Sequence, residues 1–108
     1  MISTDKQQYD QDDLSTQQKL NLETALIKWK ELQIFFAQGK LLIVSNDQDL
    51  IEIATIIAEN ATAKLSKIIE AKKVQFATAD WIKENATEST DLWAVVISPY
   101  VVAQLKVE

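Results

Sequence analysis

Carboxylates and amines are the chemically active side chains of this chain, and they limit the chemistry that it could perform. The 108 residues include sixteen acidic residues and eleven cationic ones, all of them lysine, with neither histidine nor cysteine. The lack of imidazole removes the commonest general base and metal ligand. The lack of thiol removes disulfides and Cys-based metal sites, and the lack of guanidinium removes bidentate clamps for phosphate. An enzyme of this composition would have to use carboxylates and lysine alone, and we expect no cofactor.

Asp47, Asp49 and Glu52 form the densest group of carboxylates in the part of the chain that is expected to fold. Carboxylate oxygens are the ligands that Mg²⁺ and Ca²⁺ prefer, but an EF-hand loop needs more acids and a central glycine. The spacing of Asp49 and Glu52 fits a helix capping box instead. We therefore predict a helix cap at this point and no metal site.

Two further sets of residues include side chains that could act in catalysis, but the sequence does not position a partner side chain beside them. Glu31 follows Trp29 and is a conceivable general acid, yet nothing in the sequence pairs with it, so we predict a solvated helix residue. Ser66 with Lys64 or Lys67 has the composition of a Ser–Lys pair. Adjacent residues of a helix point to different faces, which argues against Ser66 with Lys67.

Positive charge is concentrated in the third quarter of the chain, at Lys64, Lys67, Lys72, Lys73 and Lys83. Such a cluster could contact an acidic partner or a phosphate, but a solvated helix face explains it better, and we predict the latter. The net charge of −5 opposes binding to a phosphate backbone. We therefore expect no nucleic-acid partner.

Four large aromatic residues are the candidates for a binding surface: Trp29, Trp81, Trp93 and Tyr100. Large aromatic side chains dominate core burial in small domains, and we predict that Trp29 and Trp93 lie in the core. For Trp81 and Tyr100 the core and a surface pocket or interaction site stay open as alternatives.

An apolar stripe predicts a long first helix over residues 16–38. Apolar residues recur every three or four positions, at Leu22, Ala25, Leu26, Trp29, Leu32 and Phe36. Ser15 and Gln18 have the spacing of a capping box at its start, and Gly39 supplies the left-handed residue on which helices often end. A break near Lys28, which would give two shorter helices, stays open.

Short apolar runs between turn residues predict the strands. Residues 41–44, 74–77 and 92–97 are such runs, and the continuous apolar character of the last predicts a strand covered on both faces. Pro99 then marks a turn. Residues 100–107 could form a strand or a terminal helix, and their β-branched content favours the strand.

Three further helices are predicted from their caps. Asp49 opens a helix that runs to about residue 59, and Thr78 opens one that carries Trp81. Asn60 is predicted to cap a helix over residues 61–72. Its predicted buried residues are Leu65, Ile68 and Ile69.

The first fourteen residues differ in composition from the rest. Residues 1–14 are rich in Asp and Gln and predict a disordered leader rather than a signal peptide. The chain has no run of about 18 apolar residues, so no membrane span is expected. We expect a cytoplasmic protein with one folded domain over residues 15–108.

Several blocks of sequence resemble a small bacterial family. They are residues 20–25, Trp29-Lys30-Glu31-Leu32, residues 35–39, residues 49–54 and the closing run 92–101. In this order and spacing they resemble the domain-of-unknown-function family DUF2288, over roughly residues 20–104. Lys28 departs from the proline expected before Trp29. The resemblance implies a bacterial cytoplasmic protein and brings no activity or catalytic residue.

These observations predict an α+β domain with about four helices packed on a small sheet. A small sheet leaves an edge exposed, and pairing across a two-fold axis would cover that edge. The first functional hypothesis is therefore a non-catalytic interaction or regulatory module that forms a homo-oligomer or binds another protein. The alternatives are a small-ligand-binding protein with a pocket near Trp81 and Tyr100, and an enzyme that uses only carboxylates and lysine.

Overall fold

Helices and strands are mixed along residues 15–107, the part of the chain that the computed structural model describes. Within that range there are five helices and five strands, so the α+β class is confirmed. The predicted leader, residues 1–14, lies outside the described residues. The elements are α1 (Thr16–Glu23), β1 (Ala25–Lys28), α2 (Trp29–Ala37), β2 (Leu41–Val44), α3 (Leu50–Ala58), α4 (Thr62–Glu70), β3 (Val74–Phe76), α5 (Ala79–Asn85), β4 (Asp91–Ile97) and β5 (Tyr100–Leu105).

The five strands form one mixed sheet in the order β1-β4-β5-β2-β3. The β2–β5 pair is parallel and the other three pairs are antiparallel. The turn at Ser98 and Pro99 joins β4 to β5 in a hairpin, with Ile97 opposite Tyr100. The predicted strand after Pro99 is thus confirmed. β1 and β3 are the two edge strands.

Helices cover both faces of the sheet because apolar side chains alternate along the central strands. On the first face, α1, α3 and α4 pack on a core that includes Val44, Val95 and Val102. On the second face, α2 and α5 pack on a core that includes Leu41 and Leu92. Alternate residues of the central strands therefore point toward one apolar core or the other, and the face of a side chain follows from its position in the strand.

The predicted helix over residues 16–38 is wrong in its middle. The chain leaves α1 at Thr24, which has extended backbone angles, and residues 25–28 pair with β4 as an edge strand. Two shorter helices are present, as the alternative allowed, but a strand separates them. The pairing places Ile27 opposite Leu92 and against the second core, so tertiary contacts override the helical periodicity.

The predicted helix caps are mostly confirmed. Ser15 and Gln18 form a reciprocal capping box, and the side chain of Thr78 accepts a hydrogen bond from the Trp81 amide. Asp49 caps α3. The prediction for Asn60 is wrong: α4 begins after Ala61 without a side-chain cap.

Asn60 instead ends the preceding helix. Its φ is 53°, and its amide donates to the Ile57 carbonyl while the Ala61 amide donates to the Ile56 carbonyl. This is the Schellman pattern, in which a left-handed residue closes a helix C-terminus. Gly39 closes α2 in the same way with a φ of 72°, as predicted, because glycine has no Cβ to oppose that conformation.

None of the helices in the described residues is long and apolar enough to cross a membrane.

Candidate functional site

Trp29 is a core residue, as predicted. Its side chain is 3% exposed and belongs to the second core. Its ring lies 6.0 Å from that of Phe36 in a tilted arrangement, and its amide donates to the Thr90 carbonyl at 2.8 Å. Trp29 therefore holds the start of α2 against the sheet and is not available to a partner.

Trp93 is not a core residue, so that prediction is wrong. Its side chain is 40% exposed, on the first face of the sheet beside Leu26 and Gln104. The reason is a cleft of about 350 Å³ at this position, which α1 and the start of α3 leave open. Val96 of the same strand is exposed as well, so β4 is not covered on both faces as expected.

Trp81 and Tyr100 lie on opposite faces of the sheet, so the predicted pocket shared by these two residues does not form. Trp81 is half-buried, packs on the second core, and lines a polar cleft of about 180 Å³. Tyr100 is half-buried on the other face, and its ring meets that of Phe76 edge-on at 6.0 Å. Of the two, only Tyr100 lines a mostly apolar cavity beside β3.

That cavity, called here the β3 groove, lies on the first face of the sheet beside the edge strand β3. It encloses about 440 Å³ and its walls are predominantly apolar. The lining residues are Leu42, Ile57, Leu65, Ile69, Lys72, Val74, Gln75, Phe76 and Tyr100. Lys72 is the one charged residue among them, and it follows α4 in a left-handed conformation with a φ of 59°.

Apolar side chains remain exposed where the β3 groove opens. Phe76 is 51% exposed and Ile69 is 53% exposed. The prediction that Ile69 is buried is therefore wrong, whereas Ile68 is buried and Leu65 is half-buried against the first core. The helix spacing predicts an apolar stripe, but Ile69 lies at the margin of that stripe, beyond the sheet edge.

The backbone of β3 also faces outward. The Ser45 amide donates to the Lys73 carbonyl, and the Ala77 amide donates to the Leu41 carbonyl. Antiparallel pairing alternates between hydrogen-bonded and non-hydrogen-bonded pairs, so Gln75 exchanges its hydrogen bonds with Ile43 opposite it. Val74 and Phe76, on either side of Gln75, then direct their amide and carbonyl groups away from the sheet. This outward row is called the β3 edge below.

The carboxylates are placed for structure. Asp49 Oδ1 accepts hydrogen bonds from the amides of Ile51 at 2.9 Å and Glu52 at 3.3 Å, so the predicted cap is confirmed. Within the described residues the Glu52 side chain makes no return bond to the Asp49 amide, so the capping box is only half formed. The Ser45 hydroxyl donates to Asp47 Oδ1 at 2.6 Å. This hydrogen bond, helped by the neighbouring Gln48 side chain, holds the pKa of the exposed Asp47 carboxyl below its ordinary value of 3.8.

Glu52, Glu59 and Lys64 line one cleft of about 340 Å³, and within residues 15–107 neither carboxylate lies within ion-pair distance of that lysine. Residues 15–107 contain no group of three acidic side chains close enough to hold a metal ion. The single ion pair in that range joins Lys28 Nζ to Asp91 Oδ1 at 2.8 Å, across the exposed β1 edge. Lys64, Lys67, Lys72 and Lys83 are exposed, as predicted for a solvated face, and Lys73 is half-buried.

Gln104 is a positioning residue that the sequence does not reveal. Its side-chain amide donates to the Ser45 carbonyl at 2.9 Å and to the Gln48 carbonyl at 2.7 Å. Asn46 Nδ2 donates in turn to the Leu105 carbonyl at 2.9 Å. These bonds fix the loop between β2 and α3 against β5, and nothing about an isolated glutamine in a strand predicts such partners.

Comparison with known proteins gives a family and a solved relative. The family described as "Protein of unknown function (DUF2288)" matches residues 15–105. A protein of solved structure, described as the NMR solution structure of PA1075 from Pseudomonas aeruginosa, is 35% identical, covers 94% of each chain and superposes with a TM-score of 0.73. No curated protein matches the chain. With nearly all of the described residues matched, the chain belongs to the DUF2288 family.

Proposed function

We propose that this protein is a non-catalytic interaction module that self-associates through the β3 edge. The observation that carries the proposal is the combination of outward backbone groups and exposed apolar side chains on one edge strand. Val74 and Phe76 direct their amide and carbonyl groups outward, and Phe76 and Ile69 are each about half exposed beside them. An unprotected edge strand is a template for pairing with another chain.

Antiparallel pairing about a two-fold axis at Gln75 satisfies the outward groups of both copies. In that register Val74 lies opposite the partner's Phe76, and Phe76 lies opposite the partner's Val74. Both are hydrogen-bonded pairs, each of which exchanges two backbone hydrogen bonds. Gln75 lies opposite the partner's Gln75 in a non-hydrogen-bonded pair, where side chains approach most closely. The surface is self-complementary, as a two-fold interface must be.

The charges that flank the β3 edge support the same arrangement. Lys72 and Lys73 precede β3, and Asp80 lies in the first turn of the helix that follows it. Antiparallel pairing directs the lysines of one copy toward the helix start of the other, where opposite charges attract. The net charge of −5 per copy makes such local complementarity necessary.

The proposal includes the cellular setting expected from the sequence, a cytoplasmic protein whose partners are proteins. The excess of acidic residues disfavours a phosphate backbone as partner.

Charge substitutions at Gln75 test the register directly. Gln75 is exposed, so Gln75→Lys and Gln75→Glu are tolerated by the fold but place like charges opposite each other in the dimer. Two unit charges about 4 Å apart repel by about 1 to 4 kcal/mol, depending on the local dielectric. We expect each variant to dissociate roughly 5- to 1,000-fold more readily than the unmodified protein.

The experiment is sedimentation equilibrium of each protein alone and of the two variants mixed. We expect a dimer for the unmodified chain, monomers for each variant, and a heterodimer when Lys and Glu variants are combined. Gln33→Lys, on the exposed side of α2, is the matched control and should remain dimeric. The proposal would be refuted if the unmodified protein were monomeric at millimolar concentration. It would also be refuted if the Gln75→Lys and Gln75→Glu variants each remained dimeric on their own.

A further inference from the structure

We propose that the β3 groove is a binding site for a small amphipathic carboxylate, with the apolar part of the ligand in the groove and its carboxylate on the Lys72 ammonium. All of the lining residues belong to one copy of the chain. The site therefore goes beyond self-association and does not depend on it.

The size and lining of the groove fit a small molecule. Its volume of about 440 Å³ falls within the roughly 300 to 1,000 Å³ of known small-molecule sites, which are mostly apolar with a few polar groups. Leu42, Val74 and Leu65 form apolar walls from the sheet and from α4, and Phe76 with Tyr100 adds an aromatic side. Burial of a ligand's hydrocarbon part against these walls supplies the affinity.

Lys72 gives the groove its charge preference. It is the one charged residue in the lining, and within residues 15–107 no carboxylate lies within ion-pair distance of it. Lys72 is exposed, so it attracts an anionic group as a surface cation does, somewhat more strongly than in open water and less so at high salt. A single ammonium is a point charge without the fork geometry of guanidinium, and its one positive charge balances the one negative charge of a carboxylate.

A second polar group lies in the lining of the groove. Tyr100 lines it, and its phenolic hydroxyl can donate a hydrogen bond to a carboxylate oxygen. Gln75 pairs with Ile43 of the second core, so its side chain points to the other face of the sheet. The chemistry that the site recognises is thus a medium-length hydrocarbon with one acidic end.

The test is a titration with three ten-carbon probes: decanoate, decanol and decyltrimethylammonium. Binding is followed by amide chemical shifts of the ¹⁵N-labelled protein. We expect saturable shifts at Leu65, Ile69 and Tyr100 with decanoate, about tenfold weaker binding of decanol because the charge-assisted hydrogen bond is lost, and no measurable binding of the cationic probe.

Two lysine variants separate the charge from the groove. The Lys72→Met variant should bind decanoate no more tightly than it binds decanol. The Lys67→Met variant replaces an exposed lysine of α4 outside the groove, and it should bind decanoate as tightly as the unmodified protein does. Equal binding of decanoate and decanol by the unmodified protein, shifts confined to other parts of the molecule, or no saturable shift at all would overturn the proposal. None of these outcomes changes the mass measured by sedimentation.

Discussion

Replacement of Gln104 is the substitution for which the structure gives the clearest magnitude. Its half-buried side-chain amide donates to two backbone carbonyls, those of Ser45 at 2.9 Å and Gln48 at 2.7 Å. Gln104→Leu keeps a side chain of similar size and removes this donor from both carbonyls, of which that of Ser45 still accepts from the Gln48 amide at 3.0 Å. A typical hydrogen bond contributes about 0.5 to 1.5 kcal/mol net to stability. Because the site is only half-buried and water reaches part of it, about 1 kcal/mol for each bond is expected.

The sum is about 2 kcal/mol, which corresponds to a fall in Tm of roughly 8 to 16 °C for a domain of this size. Gln104→Glu should cost more at neutral pH, because an ionised carboxylate has the same shape but cannot donate and faces two carbonyl oxygens. The assay is equilibrium urea unfolding followed by circular dichroism. Gln33→Leu, on an exposed helix face, is the control for added apolar surface.

A loss of less than about 0.5 kcal/mol for Gln104→Leu, which is the range of ordinary surface substitutions, would show that these two hydrogen bonds do not hold the loop. The same conclusion would follow if Gln104→Glu were as stable as the unmodified protein.

Three further predictions concern caps, core and pH. Asp49→Ala should lower the free energy of unfolding by about 1 kcal/mol, whereas Asp49→Asn retains a capping oxygen and should change it little; urea unfolding distinguishes the two. Leu92→Ala, at a fully buried position, should cost about 2 to 5 kcal/mol. Val96→Ala, on the same strand and face but 63% exposed, should cost less than about 0.5 kcal/mol; equal costs would contradict the burial of Leu92 and the exposure of Val96. The lowered pKa of Asp47 means that its contribution to stability is complete above pH 3.8 and is lost as the pH falls through the folded-state pKa. Asp47→Asn should therefore flatten the stability curve below pH 3.8, and a curve that still falls in parallel with that of the unmodified protein would refute this.

The features that sequence predicted well are those that local chemistry decides. The Ser15 capping box, the Asp49 and Thr78 caps and the left-handed Gly39 depend on residues within one turn of helix, and all are confirmed. The apolar runs of β2 and β4 likewise predict strands without knowledge of their neighbours.

The features that sequence missed depend on partners that are distant along the chain. Residues 25–28 fit a helical stripe, but β4 lies beside them and makes them a strand. Asn60 has the chemistry of an N-cap and also of a left-handed helix end, and the closing bonds of α3 decide between the two.

The candidate site could not be located from the sequence for the same reason. For Tyr100 the residue type leaves a core position and a pocket open, and the fold places it beside Phe76 and on the opposite face from Trp81. The β3 edge exists only because β3 is last in the sheet order. Trp93 is exposed because the helices of the first face leave a gap above it, which its residue type does not show.

The most direct test of self-association through the β3 edge is amide hydrogen exchange measured at several protein concentrations. The outward amides of Val74 and Phe76 should become protected as concentration rises, while Gln75, whose amide bonds to β2 within one copy, should exchange at a constant slow rate. Exchange at Val74 and Phe76 that stays fast and independent of concentration up to the millimolar range would contradict the account.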